Sequence, residues 1–369
     1  MPTLAETSIA TVAARIGIIE QSVPWNASVS SILGRGFERP DYASLFHQRK
    51  VTATVRRYRL EGVHLDTAAM TLIKDGKKIQ ESNYLVPAEY YENACVIEDG
   101  IVRLDTGIHY TLARAFDNYY HWLIQTIPGL DWTLRNLPGA EVTLLSGDLN
   151  RWQLEILTLL GYDRLPRITL NPSQHYAIPI LEFNEFQNGS TAFSVSRSAQ
   201  DTFRRLALAA LDSAPAQADI IYVARTDSKN RAAENEAEVM KLLEAEGVQI
   251  VIPGQMSVAQ QINLFHKADA VIGPHGAGMT NIVFCRPGTI FYEFMPAHYL
   301  NPCFTRLAEA AQLHYLVDLF DSSADASGDV HARGFVLDPA LILARLRDIR
   351  RHLASRPARA VAAGQPSSH

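Results

Sequence analysis

One histidine, two glycines, a threonine and an asparagine crowd into PHGAGMTN, residues 274–281. The block follows a short apolar run, DAVIG (269–273), which reads as a strand, and it opens GMTNIVFC (278–285), which reads as a short helix. A strand, a tight glycine loop and a helix start make a place for an anion. The first helix amides lack partners, and the helix dipole adds partial positive charge there. Gly276 and Gly278, on either side of Ala277, leave no Cβ between the backbone and a ligand. His275 stands at the mouth and could donate to a phosphate oxygen, as could Thr280 and Asn281 on the first turn. Spacing alone leaves a plain strand-to-helix turn open as the alternative. Asn281 occupies the third glycine position of the dinucleotide fingerprint, and no Gly-Lys-Ser/Thr follows, so neither that motif nor a Walker A loop is present.

Other groups could join the anion site. Arg225 closes the apolar run IIYVAR (220–225), and Lys229 and Arg231 follow it in TDSKNR. Three cations beside a helix start would suit a diphosphate, although basic residues are ordinary in solvated loops. Glu293 ends the run TIFYEF (289–294), where a carboxylate could accept from a ribose diol or simply be a surface acid. In DNYYHWLIQTIP (117–128), His121 is a candidate general base because its reference pKa lies near neutrality. A packed core histidine is the alternative. Asp117 could cap the helix that begins there, or act as the base itself. No Asp-x-Asp, HExxH or Gly-x-Ser-x-Gly occurs, which removes a metal–diphosphate carboxylate pair and weakens protease and hydrolase readings.

These residues must be held by regular elements. From 220 onward strands alternate with helices: NEAEVMKLLEAEG (235–247) and SVAQQINLFHKA (257–268) read as helices capped by Asn235 and Ser257, and VQIVI (248–252) as a strand. That alternation predicts a parallel sheet with helices on its faces. The polar, Pro-containing DSAPAQAD (212–219) predicts a boundary before it. Upstream, EVTLLSG (141–147), RWQLEILTLLGY (151–162) and HYAIPILEF (175–183) also suggest α/β structure. A helix over 119–127 is expected to break at Pro128, and a longer one covers 196–212. VTATVRRYRL (51–60) and NYLV (83–86) look strand-like, without a topology to assign. Residues 338–356 read as an amphipathic helix with Arg345, Arg347, Arg350 and Arg351 on its polar face, and 357–369 as a disordered tail. The expected division is 1–211, 220–337, then the terminal helix.

Composition excludes several classes. The chain has 369 residues, 47% hydrophobic and 20% charged, with net charge −5, which argues against a dedicated nucleic-acid binder. There is no apolar run long enough to span a bilayer and no basic, apolar leader at the N-terminus. Cys95, Cys285 and Cys303 are odd in number and form no CxxC pair, so a cytoplasmic protein without a disulfide framework or a cysteine-based zinc motif is expected.

Taken together, the blocks DNYYHWL with Pro128, YVAR (222–225) with Arg231 and Asn235, and IGPHGAGMTNIVFCRPGT with Glu293 and Pro296 resemble glycosyltransferase family 61. Its members include bacterial capsular-polysaccharide proteins and eukaryotic xylosyl- and N-acetylglucosaminyltransferases. The resemblance spans residues 117–296 and implies an α/β, GT-B-like architecture of two Rossmann-like domains facing a cleft. It implies inverting transfer from a nucleotide sugar, usually a UDP-sugar, to a glycan, lipopolysaccharide or lipid-linked acceptor, with no metal or other cofactor. The donor would lie on the second domain, on Arg225, Lys229, Arg231, the His275–Asn281 segment and Glu293. The base, His121 or Asp117, would come from the first. The family often has an acid four residues after the histidine and an arginine after the proline; Gln125 and Gly129 stand there instead. In such a plan the terminal helix could cross back to the first domain or rest its arginine face on anionic lipid at the inner face of the membrane, and a simply solvated basic face is the alternative favoured over the lipid contact. A catalytically silent nucleotide- or sugar-binding protein of the same fold, and an unrelated Rossmann oxidoreductase, are the rival classes.

Overall fold

The computed structural model describes residues 4–24, 38–47, 52–97, 99–112, 118–137, 139, 141–191, 195–212, 220–226, 230–322 and 329–356. Asp117, Lys229, most of the expected linker and the tail after 356 lie outside the described residues. The strands of the first half are β1 (Glu6–Thr7), β2 (Arg15–Glu20), β3 (Val55–Asp66), β4 (Thr71–Lys74), β5 (Lys77–Ile79), β6 (Val102–Arg103), β7 (Ile108–Thr111), β8 (Val142–Ser146), β9 (Arg167–Thr169) and β10 (His175–Asn184). Those of the second are β11 (Ile220–Val223), β12 (Gln249–Val251), β13 (Ala270–Pro274), β14 (Ile290–Pro296) and β15 (His314–Phe320).

The second sheet runs β12-β11-β13-β14-β15 with every pairing parallel, as the strand–helix alternation predicts. Val271, Ile272, Phe291 and Tyr292 are buried in its middle, which is how a sheet covered on both faces reads in sequence. Helices Glu236–Ala245 and Val258–Lys267 fall where expected. Ser257 caps the second in a reciprocal box with Gln260. Asn235 does not cap the first: its amide donates to the Leu337 carbonyl and its oxygen accepts from the Leu337 amide, so it ties down the chain leading to the terminal helix.

The first sheet is not a second Rossmann-like sheet. Its order is β1-β5-β4-β3-β10-β7-β8-β9, with β2 on β3 and β6 on β10. Only β10, β7, β8 and β9 form a parallel run. The long β3 pairs antiparallel with β2, β4 and β10, and only its link to β4, residues 67–70, is a short turn that reverses the chain directly. VTATVRRYRL thus enters β3, whereas NYLV forms no strand and follows a short 3₁₀ turn, Gln80–Asn83.

Two packing features hold the halves together. One apolar cluster runs from Tyr42, Trp122 and Ile127 of the first half to Val223, Ile262 and Phe304 of the second. Each fully buried side chain of this size contributes about 1.5–3 kcal/mol. Helix Arg197–Ala210 packs on Ile127–Asn136 of the first half, the last part of the site helix, and on Val258–Lys267 of the second. Asp131, fully buried, accepts from Tyr162, Thr202, Arg135 and Arg205, which fixes the site helix to Arg197–Ala210.

The terminal helix, Pro339–Ala354, is capped by Asp338 and does not cross back. Ile342, Leu346 and Ile349 sink into a cluster made entirely of second-half residues, including Val239, Leu243, Tyr292 and Leu316. On its arginine face Arg345 pairs with buried Asp318, Arg350 with Glu246 and Arg351 with Asp348, while Arg347 stays exposed. Among the described residues, no helix is long and apolar enough to cross a membrane.

Candidate functional site between the halves

The site helix begins at Tyr119. Asn118, rather than Asp117, is its cap: the Asn118 oxygen accepts from the Tyr120 amide at 3.0 Å and the His121 amide at 3.3 Å. The chain continues as Tyr119–His121, Trp122–Thr126 and Ile127–Asn136, and does not break at Pro128. The middle segment is a π turn, in which the Ile127 amide bonds the Trp122 carbonyl. Proline lacks an amide and its ring crowds the carbonyl four residues back. The wider turn before Pro128 relieves that crowding, so the helix survives. Such turns recur at functional sites.

At the carboxyl edge of the parallel sheet lies a cavity of about 250 Å³. Gly276, Ala277, Gly278 and Arg225 form one wall, and Tyr119 and Trp152 of the first half form the other. Parallel pairing of β11 and β13 brings Arg225 beside the glycine loop, as the sequence implies. Its guanidinium donates to the His275 carbonyl at 2.8 Å and the Arg231 carbonyl at 3.3 Å. A Cβ at 276 would stand 2.5 Å from Arg225 Nε, so any larger residue there must displace that side chain. Gly273 has φ +153°, and a Cβ on it would meet the Val223 carbonyl at 2.6 Å. Gly278 is less crowded, with Pro253 and Val223 side chains 3.3 Å from a Cβ position. The helix after the loop is a 3₁₀ helix, Ala277–Phe284.

Several expected donors are committed elsewhere. The Thr280 hydroxyl donates to the Ala277 carbonyl at 2.7 Å. Asn281 is fully buried; its amide donates to Gln261 at 2.7 Å and its oxygen accepts from the Tyr119 hydroxyl at 2.7 Å. It joins the halves and does not face an anion. Burial pushes the Tyr119 phenol far above its ordinary pKa, so it remains a donor at all working pH values. Glu293 does not stand at the surface as a ribose acceptor. It is fully buried inside β14, accepting from His275 Nδ1 and from the Tyr315 hydroxyl, both at 2.5 Å. Tyr42 of the first half continues this chain, 2.7 Å from the Tyr315 hydroxyl.

His275 is consequently oriented, with Nδ1 turned to Glu293 and Nε2 on the opposite side of the ring. Its ring packs on Tyr299 and Phe304, at 5.7 and 4.8 Å between centroids. Arg231, expected near Arg225, stacks over Tyr299 at 4.3 Å and reaches His331 at 3.0 Å. It flanks His275 from outside the cavity that Arg225 lines.

His121 is half-buried and faces Tyr84 and Tyr120. Nδ1 lies 2.6 Å from Gln125 Oε1. Burial lowers its pKa below the ordinary histidine value, partly offset by the Gln125 bond. Gln125 thus does as a neutral amide what a carboxylate four residues on could do: it holds Nδ1 as the donor and leaves Nε2 with the lone pair. Tyr120 and Phe304, 5.8 Å apart, separate His121 from His275. Gly129 is explained by packing, since a Cβ would fall 2.7 Å from both Asn184 Oδ1 and the Tyr110 hydroxyl.

Tyr119 lies in a block that sequence reading singled out, yet its role was invisible there. Trp152, Tyr42 and Tyr315 carried no signal, because each reaches the site from a separate element.

A parallel sheet with a cavity beyond its carboxyl ends, faced by a second α/β half, is the α/β arrangement in which ligands commonly bind. Residues 119–292 match the family model of Glycosyltransferase 61. A β-1,2-xylosyltransferase of Arabidopsis thaliana is 35% identical over 60 residues, which is 16% of this chain and 11% of that protein. The chain therefore spans about a ninth of that relative's length. The solved structure of the bacterial iron-containing dodecameric glycosyltransferase TibC, from enterotoxigenic E. coli, aligns at 12% identity with a TM-score of 0.33, covering 81% of this chain and 94% of that one.

Proposed function

We propose that the chain is an inverting glycosyltransferase of the capsular-polysaccharide type. It would move a sugar from a nucleotide sugar, with UDP as the nucleotide, to a glycan or glycolipid acceptor. The observation that carries this reading is the cavity between Tyr119 and the glycine loop, bordered by Arg225 within the family-matched segment. The halves act as a GT-B-like pair, with residues 1–211 on the acceptor side and 220–337 on the donor side.

Inverting transfer is one displacement at the anomeric carbon. The acceptor hydroxyl attacks, its proton goes to a base, and the diphosphate leaves. Arg225 and the loop amides receive the leaving charge, and His275 Nε2, oriented by Glu293, can donate to it. Arg231 reinforces the positive potential from the Tyr299 side. The acceptor proton goes to a base at the start of the site helix, His121 at Nε2 or Asp117; burial favours the neutral form of His121, and Tyr120 and Phe304 stand between it and His275, so the acceptor would have to reach it around those rings. No divalent metal takes part, because cations and amides already oppose the leaving charge.

Calorimetry with UDP on the wild type and on Gly278→Val tests the placement. A valine side chain there should crowd the cavity floor against Pro253 and Val223 and weaken binding. Equal affinity would remove the donor from this cavity. Arg225→Ala should cost about 1.5–3 kcal/mol of UDP binding, as for a hydrogen bond to a charged group. Hydrolysis of bound UDP-sugar without acceptor separates a transferase from a silent binding protein.

A further inference from the structure

Away from that cavity, at the end of the long antiparallel pair, three side chains of different chemistry converge. Asp66 ends β3 and His175 begins β10, and the two are direct partners across the ladder. Cys95 arrives from the segment after helix Ala88–Glu92, its amide donating to Asp66 Oδ2 at 3.1 Å. A carboxylate oxygen, the thiol sulfur and an imidazole nitrogen lie within 4.8 Å of one another. We propose that Asp66, Cys95 and His175 bind a divalent metal ion of the zinc class.

The donor set selects the metal. One sulfur, one nitrogen and one oxygen suit zinc-class cations, whereas magnesium and calcium take oxygen ligands. Three protein donors leave a fourth tetrahedral position for water or an external ligand. Asp66 is pre-oriented: its two oxygens accept from the amides of Ala69, at 3.2 Å, and Cys95. Turn capping explains those two bonds. It does not explain why the sulfur and the imidazole nitrogen converge on the same carboxylate. Nδ1 of His175 is also buried without a hydrogen-bond partner among the described residues, a condition that costs free energy and that a bound ion would relieve. On binding, the ion forms a bond to sulfur, and the thiol proton leaves to solvent. The residues are 29 and 80 positions apart in sequence, so no motif announces them.

The test uses the full chain, stripped of metal by a chelator and titrated with Co²⁺. The expected result is one cobalt per chain, with a thiolate-to-cobalt charge-transfer band in the near ultraviolet. Cys95→Ser should abolish the band, and His175→Gln should weaken binding. Cys285→Ser and Cys303→Ser, at buried thiols elsewhere, should leave it intact. Zn²⁺ should raise the melting temperature of the wild type and not of Cys95→Ser, since binding to the folded state alone stabilises by mass action. A wild-type protein that shows neither band nor melting shift overturns the proposal. So does a Cys95→Ser protein that retains the band. Both substitutions leave the Asp66 turn bonds in place, and circular dichroism confirms the fold of each variant.

Discussion

The Tyr119 hydroxyl donates to Asn281 Oδ1 across 2.7 Å, and this bond ties the start of the site helix to the helix of the glycine loop. It fixes the width of the cavity, because Tyr119 is on one wall and the loop is the other. Tyr119→Phe keeps the ring but leaves a buried acceptor unsatisfied. We expect a loss of about 1–3 kcal/mol in denaturant unfolding. An unchanged midpoint would mean that the bond does not hold the halves.

Gly276→Ala should displace Arg225, whose Nε would be 2.5 Å from the new Cβ. Overpacking of this kind costs about 1–3 kcal/mol of stability. Loss of UDP affinity should accompany it, measured by calorimetry on the folded variant. Wild-type affinity in Gly276→Ala would show that Arg225 has no part in binding the nucleotide.

His121→Ala should lower turnover by about 10²–10⁴-fold while leaving UDP affinity nearly intact. Because burial lowers this pKa, the neutral, proton-accepting form persists to a pH below the ordinary histidine value. Activity should therefore fall on the acid side only as pH drops through that lowered pKa. The stability sign agrees: below the ordinary value the unfolded chain binds the extra proton first, so acid destabilises the fold. An acid limb centred above the ordinary histidine pKa would exclude His121.

His275 and Glu293 should be energetically coupled. A double-mutant cycle with His275→Gln and Glu293→Gln, read by unfolding, should give a coupling of about 0.5–3 kcal/mol. Strict additivity of the two losses would show that the 2.5 Å contact does not orient the ring.

If, as proposed, Arg225 and the loop meet the leaving diphosphate, added Mn²⁺ or Mg²⁺ should leave the transfer rate unchanged. A rate that depends on either ion would contradict this.

The second half was legible in the sequence because each of its features is local. Buried parallel strands are continuous apolar runs, helix starts are set by caps such as Ser257, and Arg225 meets the glycine loop once the strands are parallel. Other outcomes depended on contacts beyond the reach of a single element. Glu293 looked like a strand-end acid, but β14 runs on to Pro296 and buries it between His275 and Tyr315. Asn281 looked like a phosphate donor until Tyr119 and Gln261 reached it. Pro128 looked like a helix end until the π turn made room for it. The terminal helix could have crossed to either half; the apolar surface over Val239 and Leu316 decided it. Sequence spacing fixes what a residue can reach within a turn or two. Which partner finally satisfies a buried polar group, or covers an apolar face, is settled only when separate elements are packed together.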